Sequence, residues 1–186
     1  MRAMENKWVD DVLKFWFEEL DEKQWFFSTK ELDEQIRERF GSLISKLSTT
    51  PPAELSAEPR TALAAVVALD QFPRNIFRGT ARAFATDNLA LRIAADAVDN
   101  RLDANLSPNE RLFLYLPFEH SEVSADQDRS VMLCEALGLD EPLRYAIEHR
   151  DIIRRFGRFP HRNAVLGRSS TEEELAFMKE HAGYGQ

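Results

Sequence analysis

The chain has 186 residues, 44% of them hydrophobic, and a formal net charge of −8. This length and apolar content suffice for one globular domain spanning 1–186, and no apolar run approaches the roughly 20 residues of a membrane-spanning helix. The acidic balance argues against a nucleic-acid or anionic-membrane binder, because such proteins normally present a basic face. The N-terminal sequence lacks the pattern of a secretory signal, so we predict a cytoplasmic protein without nucleic-acid or membrane partners.

Helical periodicity runs through the first half of the sequence, and no run alternates between apolar and polar residues as a half-buried strand does. Four helices are expected there. Their predicted ranges are 5–20, a helix that begins at the capping-box sequence 28–31, 60–72 ended by Pro73, and 86–101. The segment 48–59 is rich in Pro, Ser and Thr and predicts a connecting loop.

The second half is expected to contain four more helices. Their predicted ranges are 107–116 ended by Pro117, 124–137 closed by a left-handed cap at Gly138, 140–156, and 171–182. About eight helices joined by short loops favour antiparallel hairpins in a single domain, as in a bundle or an irregular tetratricopeptide-like stack. We therefore predict an all-α fold. The single cysteine, Cys134, lies in an apolar run and is expected to be a buried, unreactive side chain.

Arginine is concentrated near the C-terminus. The segment 149–168 contains six arginines and one acid, whereas the rest of the chain has 18 bases against 31 acids. Arginine presents a planar fork that matches carboxylate or phosphate groups in pairs. The segment therefore predicts fixed ion pairs or the recognition of an anion. Where this segment folds back onto the helices, we expect more arginines than acidic side chains.

Three stretches depart from ordinary helix composition: LDQFPRNIFRG (69–79), LYLPFEHSE (114–122) and HRDIIRRFGRFPHRN (149–163). In each, a proline is expected to stop a helix beside charged residues, which would let three distant segments converge on one site. The predicted ligand-binding residues are Asp70, Arg74, Asn75, Arg155, Arg158, His161, Arg162 and Asn163. The candidate catalytic residues are Glu119, His120 and Glu122. Among the histidines, His120, His149 and His161 could supply acid–base chemistry because an imidazole titrates near neutrality.

The same residues also have purely structural explanations. Asp70 and Arg74 stand at the spacing of an ordinary helical ion pair, although Pro73 could disrupt it. Glu119 and Glu122 could be capping or solvated charges, and His120 could be a partly buried histidine bonded to backbone. The arginines near the end of the seventh helix would oppose the negative end of its dipole.

The chemistry of metals and cofactors has no clear signal in this sequence. No pair of histidines stands at metal-ligand spacing. No glycine-rich phosphate loop, serine elbow or convincing cysteine–histidine arrangement is present either. The sequence therefore predicts no metal site and no cofactor.

Four ordered motifs carry a resemblance to a known family: VLKFWFEE, LDQFPRNIFRG, FLYLPFEHSE and HRDIIRRFGRFPHRNAVLGRSSTEEELAF. Together they resemble a bacterial family of unknown function, the one numbered 924, over about 12–178. The resemblance implies an all-helical, irregular tetratricopeptide-like domain. It implies no established activity.

The sequence leaves three interpretations of the predicted site open. In the first, a non-enzymatic helical-hairpin domain binds a peptide, a protein or a small anionic ligand at the cluster of Arg, His and Glu residues. In the second, the protein is an enzyme that acts on a phosphate- or carboxylate-bearing small molecule, with arginines as the clamp and His120, paired with Glu119 or Glu122, as general base. In the third, an ion-pair network holds the loop 157–168 on the helices. The oligomeric state is not predicted.

Overall fold

The computed structural model describes residues 7–181 and 183, which form eleven α-helices and no strand. We number the α-helices in chain order: α1 Lys7–Lys14, α2 Glu22–Phe26, α3 Lys30–Leu47, α4 Pro52–Leu55, α5 Pro59–Val66, α6 Phe72–Ile76, α7 Asp87–Asp99, α8 Pro108–Glu119, α9 Ser124–Leu137, α10 Asp140–Phe156 and α11 Glu172–Glu180. The prediction of an all-α fold is confirmed. The eight predicted helices are present, and the short α2, α4 and α6 account for the larger number.

Tighter and wider helical turns connect several of these helices. Ala81–Phe84, Leu102–Asn105 and Pro160–Arg162 are 3-10 turns, whereas Phe15–Glu19 and Val67–Gln71 are π-helical turns. A π turn inserts one residue into a helix and so changes the face on which the following side chains lie; such turns are frequent at functional sites. The turn Val67–Gln71 joins α5 to α6 and buries two polar side chains, Asp70 and Gln71.

The main hydrophobic core surrounds α5. Residues 62–69 are all inaccessible to solvent, and α5 contacts α1, α7 and α8. Four of these residues are alanines, whose small side chains let neighbouring helices approach closely. Aromatic rings fill the adjacent space: the ring centroids of Phe40 and Phe72 are 4.8 Å apart, and those of Trp16 and Phe113 are 5.5 Å apart.

A smaller hydrophobic cluster lies towards the C-terminus. Its buried members, Ile152, Ile153 and Phe159, pack with the partly buried Phe156 and Phe177 of α10 and α11. The helix α9 contacts both α8, which belongs to the main core, and α10, which carries the smaller cluster. No helix of the described residues is long and apolar enough to cross a membrane.

Both prolines that were expected to end helices lie within them. The backbone stays helical through Pro73 to Ile76, and α8 continues through Pro117 to Glu119. A proline removes only its own amide donor, which in a helix leaves the carbonyl four residues earlier without a partner. For Pro73 this carbonyl belongs to Leu69, and the hydroxyl of Thr86 donates to it instead.

The N-terminal cap of α3 is one residue later than predicted. The amide of Leu32 donates to the hydroxyl of Thr29, whereas the hydroxyl of Ser28 donates to Asp33 at 2.5 Å. Other local predictions are confirmed. Ser107 forms a capping box at the start of α8, and Cys134 is 1% exposed.

Candidate functional site

A buried polar cluster lies where α6, α7, α8 and the turn Pro160–Arg162 meet. Its members are Asp70, Arg74, Asp87, His120 and Arg162, and we call this set the central cluster. Asp70 is fully buried at the middle of the central cluster, because the π turn Val67–Gln71 places the carboxylate of Asp70 inside the structure. Burying charges costs several kcal/mol per ion unless each is paired, so the partners of these side chains decide what the cluster can do.

The carboxylate of Asp70 has partners on both oxygens. Oδ1 lies 2.9 Å from Nδ1 of His120 and 3.3 Å from Nη1 of Arg74, and Oδ2 accepts from Nε2 of Gln71 at 2.5 Å. Burial raises the pKa of Asp70, but the charge of Arg74 and the interactions with His120 and Gln71 outweigh it and hold that pKa well below its ordinary value. Asp70 is therefore ionised at neutral pH. Pro73 does not disrupt its ion pair with Arg74.

His120 is neutral under the same conditions. Burial and the charge of Arg74 lower its pKa below the ordinary value, against the opposite influence of Asp70 and Asp87. An ionised Asp70 accepts a hydrogen bond, so Nδ1 of the neutral imidazole carries the proton and Nε2 carries the lone pair. Within the part of the chain that the structure describes, no group is hydrogen-bonded to Nε2. The side chain of His120 is 9% exposed.

Asp87 lies between two arginines at the start of α7. Nη1 and Nη2 of Arg74 donate to its two oxygens at 2.9 Å each, and Nη1 of Arg162 is 3.8 Å away from it. Arg162 also donates to the backbone carbonyl of His120 at 3.0 Å. The ring of Phe84 lies against both guanidinium groups, with centroid distances of 5.6 and 4.6 Å. The two guanidinium groups of the cluster are thus matched by two carboxylates.

A second acid–imidazole pair lies beside the central cluster. Oε1 of Glu119 is 3.4 Å from Nδ1 of His149, which also lies 2.8 Å from the backbone carbonyl of Tyr145. Burial and the negative charges of Asp70 and Glu148 raise the pKa of Glu119 to about 8. Burial lowers the pKa of His149 to about 3. Despite the short distance, the pair is therefore uncharged at neutral pH and is not a salt bridge.

The segment 157–171 is fastened by a separate set of ion pairs. Both oxygens of Glu122 accept from Arg168, at 2.7 and 3.0 Å, and one of them also accepts from the backbone amide of Phe159. Arg158 donates to both oxygens of Glu174 at 2.7 and 2.9 Å. These contacts tie the segment to the connection between α8 and α9 and to α11, as the third interpretation of the sequence expected.

The remaining predicted residues lie outside the central cluster. Asn75 donates to Asp33 near the start of α3, at 2.9 Å. Asn163 donates to Ser170 at 3.0 Å, and Arg155 is paired with Glu173 at the surface. His161 has Nε2 3.2 Å from Nδ1 of His181. Among the described residues, no side chain of these four is hydrogen-bonded to a side chain of the central cluster, so the single site expected from the sequence is divided among several networks.

The structure brings together four of the predicted residues: Asp70, Arg74, His120 and Arg162. The predicted partner of His120 is wrong, because its imidazole contacts Asp70 rather than Glu119 or Glu122. The expected excess of arginine is also wrong. Each of the six arginines in 149–168 has a carboxylate within 4 Å, on Asp151, Asp128, Glu173, Glu174, Asp87 and Glu122 in chain order.

Sequence reasoning missed Asp87 and named His149 only among the histidines that could supply acid–base chemistry. Asp87 stands at the start of a helix, where an acid is expected for the helix dipole alone, so nothing in its context pointed to Arg74. His149 gave a usable signal, because it follows Ala146 and precedes Ile152 at three-residue spacing on the buried face of α10. Within residues 7–181 and 183, no group of three or more His, Cys, Asp or Glu side chains is arranged to hold a metal ion.

Comparison with known proteins agrees with this fold. A family model described as "Bacterial protein of unknown function (DUF924)" matches residues 12–182. The solved structure of a protein of unknown function, ATU0120 from Agrobacterium tumefaciens, is similar with a TM-score of 0.88 and 38% sequence identity, over 93% of this chain and 97% of that chain. No curated protein matches. The chain therefore belongs to the bacterial family of unknown function DUF924.

Proposed function

We propose that the central cluster is an acid–base site, in which His120 accepts a proton from a small polar molecule and Asp70 orients the imidazole. The observation that supports this proposal is the 2.9 Å contact between Nδ1 of His120 and Oδ1 of Asp70, with no hydrogen bond to Nε2 among the described residues. A carboxylate that fixes the tautomer of a histidine is the arrangement by which many enzymes prepare a general base.

The chemistry follows from the charge states of the two residues. The ionised Asp70 accepts a hydrogen bond from Nδ1–H of His120, so the lone pair is on Nε2. A hydroxyl, water or N–H group that reaches Nε2 can transfer its proton there. The imidazolium that forms is stabilised by the carboxylate of Asp70, which stays ionised because Arg74 and Gln71 hold it in that state.

The arginines limit which substrates this site would accept. We do not propose that surplus arginine charge binds a small anionic ligand, because Asp70 and Asp87 match Arg74 and Arg162. A phosphate- or carboxylate-bearing substrate would have to replace Asp87 on the guanidinium group of Arg74, a position that a carboxylate already occupies with two hydrogen bonds. Binding of a peptide or protein here is not favoured either, because the groups of the cluster are largely buried. The tetratricopeptide-like arrangement of the helices stays a prediction.

Acylation by p-nitrophenyl acetate, a small uncharged ester, tests the proposal without knowledge of the natural substrate. Release of p-nitrophenol should be several-fold faster with the wild-type protein than with His120→Gln. Asp70→Asn should also lower the rate, because an amide does not hold the imidazole tautomer as a carboxylate does. His181→Gln is the matched control, since this partly exposed histidine pairs with Glu148 at the C-terminal end.

Circular dichroism should establish that each variant is folded before the rates are compared. Equal rates for the wild-type protein and a folded His120→Gln variant would refute the proposal. A loss of the same size in His181→Gln would also refute it, because the reactive imidazole would then lie elsewhere.

A further inference from the structure

We infer that Glu119 and His149 form a positioning pair that sets the proton affinity of His120; this inference rests on the proposed function. Glu119 and His120 are consecutive residues at the end of α8. His120 contacts Asp70 of the π turn, whereas Glu119 contacts His149 of α10. The two acid–imidazole pairs are therefore coupled through adjacent positions of one helix end.

Burial makes this coupling strong. Asp70, Glu119, His120 and His149 are each less than a tenth exposed, at 0%, 5%, 8% and 4%. In an environment with little water, the energy between two charges several ångströms apart exceeds its value in solution several-fold. We therefore expect a change in the charge of one pair to alter the proton affinity of the other.

The groups facing Glu119 come from three elements. Asp70 approaches from the π turn, His149 and Glu148 from α10, and the thiol of Cys134 from α9. Burial, Asp70 and Glu148 all favour the protonated carboxyl, which is why the pKa of Glu119 is raised to about 8.

The groups facing His120 are different. Asp70 and Asp87 favour its protonated form, whereas burial and Arg74 oppose it. His149 also lies close enough for the two imidazoles to affect each other. Arg162 binds the backbone carbonyl of His120 and fixes this end of α8.

The state of Glu119 then determines how basic Nε2 of His120 is. Below about pH 8 the carboxyl of Glu119 is protonated, and Asp70 and Asp87 are the carboxylates acting on His120. When Glu119 releases its proton, a further negative charge appears in the same buried region, on the residue that precedes His120. That charge stabilises a proton on His120 and so makes Nε2 a stronger base and nucleophile. Glu119 needs no contact with the substrate for this effect.

The pH profile of the His120-dependent reaction with p-nitrophenyl acetate tests the inference. The rate of His120→Gln is subtracted at each pH to remove hydrolysis by hydroxide and by other groups. The wild-type difference is expected to rise two- to tenfold between pH 7 and 9, whereas Glu119→Gln, which resembles the protonated carboxyl, should show no such rise. Glu148→Gln removes one of the charges that disfavour ionisation of Glu119, so the rise should move to lower pH.

The outcomes separate this inference from the proposed function. A His120-dependent rate that is flat from pH 7 to 9 in the wild-type protein, or that still rises in Glu119→Gln, would overturn the positioning role and leave the acid–base site standing. An unshifted rise in Glu148→Gln would also overturn it. Absence of any His120-dependent rate would instead overturn the proposed function, and the inference with it.

Discussion

Replacement of Glu119 by glutamine is expected to remove a loss of stability of about 2 kcal/mol between pH 6.5 and 8. The pKa of Glu119 is raised from 4.5 to about 8 in the folded protein. Between these values the folded state retains a proton that the unfolded state has lost. Stability is therefore highest below pH 4.5 as far as this group is concerned, and it falls as the pH rises to about 8.

The size of this change in stability follows from the one proton that the folded protein retains on Glu119 and the unfolded protein has lost. Linkage gives about 1.4 kcal/mol for each pH unit, so the interval from 6.5 to 8 corresponds to about 2 kcal/mol. His149, whose pKa is lowered from 6.5 to about 3, acts in the opposite direction, because protonation of the unfolded histidine lowers stability as the pH falls. The lowered pKa values of His120 and His161 act in the same direction as that of His149. Because an unfolded histidine is half protonated at about pH 6.5, each adds up to about 0.4 kcal/mol of stability between pH 6.5 and 8.

Other perturbed groups act outside this interval. The pKa values of Asp70, Glu122 and Glu174 are lowered, so their effects appear in acid. Tyr115 and Cys134 have pKa values raised to about 12, so their effects begin only near pH 9 and above. The three histidines are present both in the wild-type protein and in Glu119→Gln, so the difference between the two proteins from pH 6.5 to 8 isolates Glu119.

Urea denaturation at half-unit steps from pH 6.5 to 8, followed by tryptophan fluorescence, measures the free energy of unfolding. From pH 6.5 to 8 the wild-type value should fall by about 2 kcal/mol relative to the Glu119→Gln value, which should itself stay level or rise slightly because of the histidines. Glu141→Gln, which changes a carboxylate with a 76% exposed side chain, should keep the wild-type slope. A Glu119→Gln protein with the full wild-type slope would refute the reasoning about this buried carboxyl.

Three further substitutions test other parts of the structure. Thr86→Val should cost about 1–3 kcal/mol in urea denaturation because the buried carbonyl of Leu69 loses its donor, and an unchanged midpoint would contradict this role. Phe72→Ala should lower the free energy of unfolding by about 3–5 kcal/mol, since this fully buried ring lies in the aromatic core; a loss below about 1 kcal/mol would show that the core closes around the gap. Arg168→Lys should speed amide hydrogen exchange in 157–171 by severing the two-bond contact with Glu122, while exchange in α5 should not change.

Local sequence signals predicted the helices well. The capping box at Ser107 and the left-handed glycine at Gly138 depend on residues within one turn of each other, and both are present. The prolines misled the prediction because their effect is not local. Whether a helix survives Pro73 depends on a donor for the Leu69 carbonyl, and that donor comes from Thr86, 17 residues away from Leu69.

The candidate site was predicted only in part, because it too depends on contacts between residues far apart in the chain. The sequence by itself determined that the protein is helical, where most helices begin and end, and that Asp70, Arg74, His120 and Arg162 belong to unusual polar segments. It did not determine the partners of these side chains, because Asp70 and His120 are 50 residues apart and Glu122 and Arg168 are 46 residues apart. Only the tertiary structure decided which charges meet. Ion pairs form between the groups that the packing of the helices brings within a few ångströms, and the number of residues between two groups does not determine that distance.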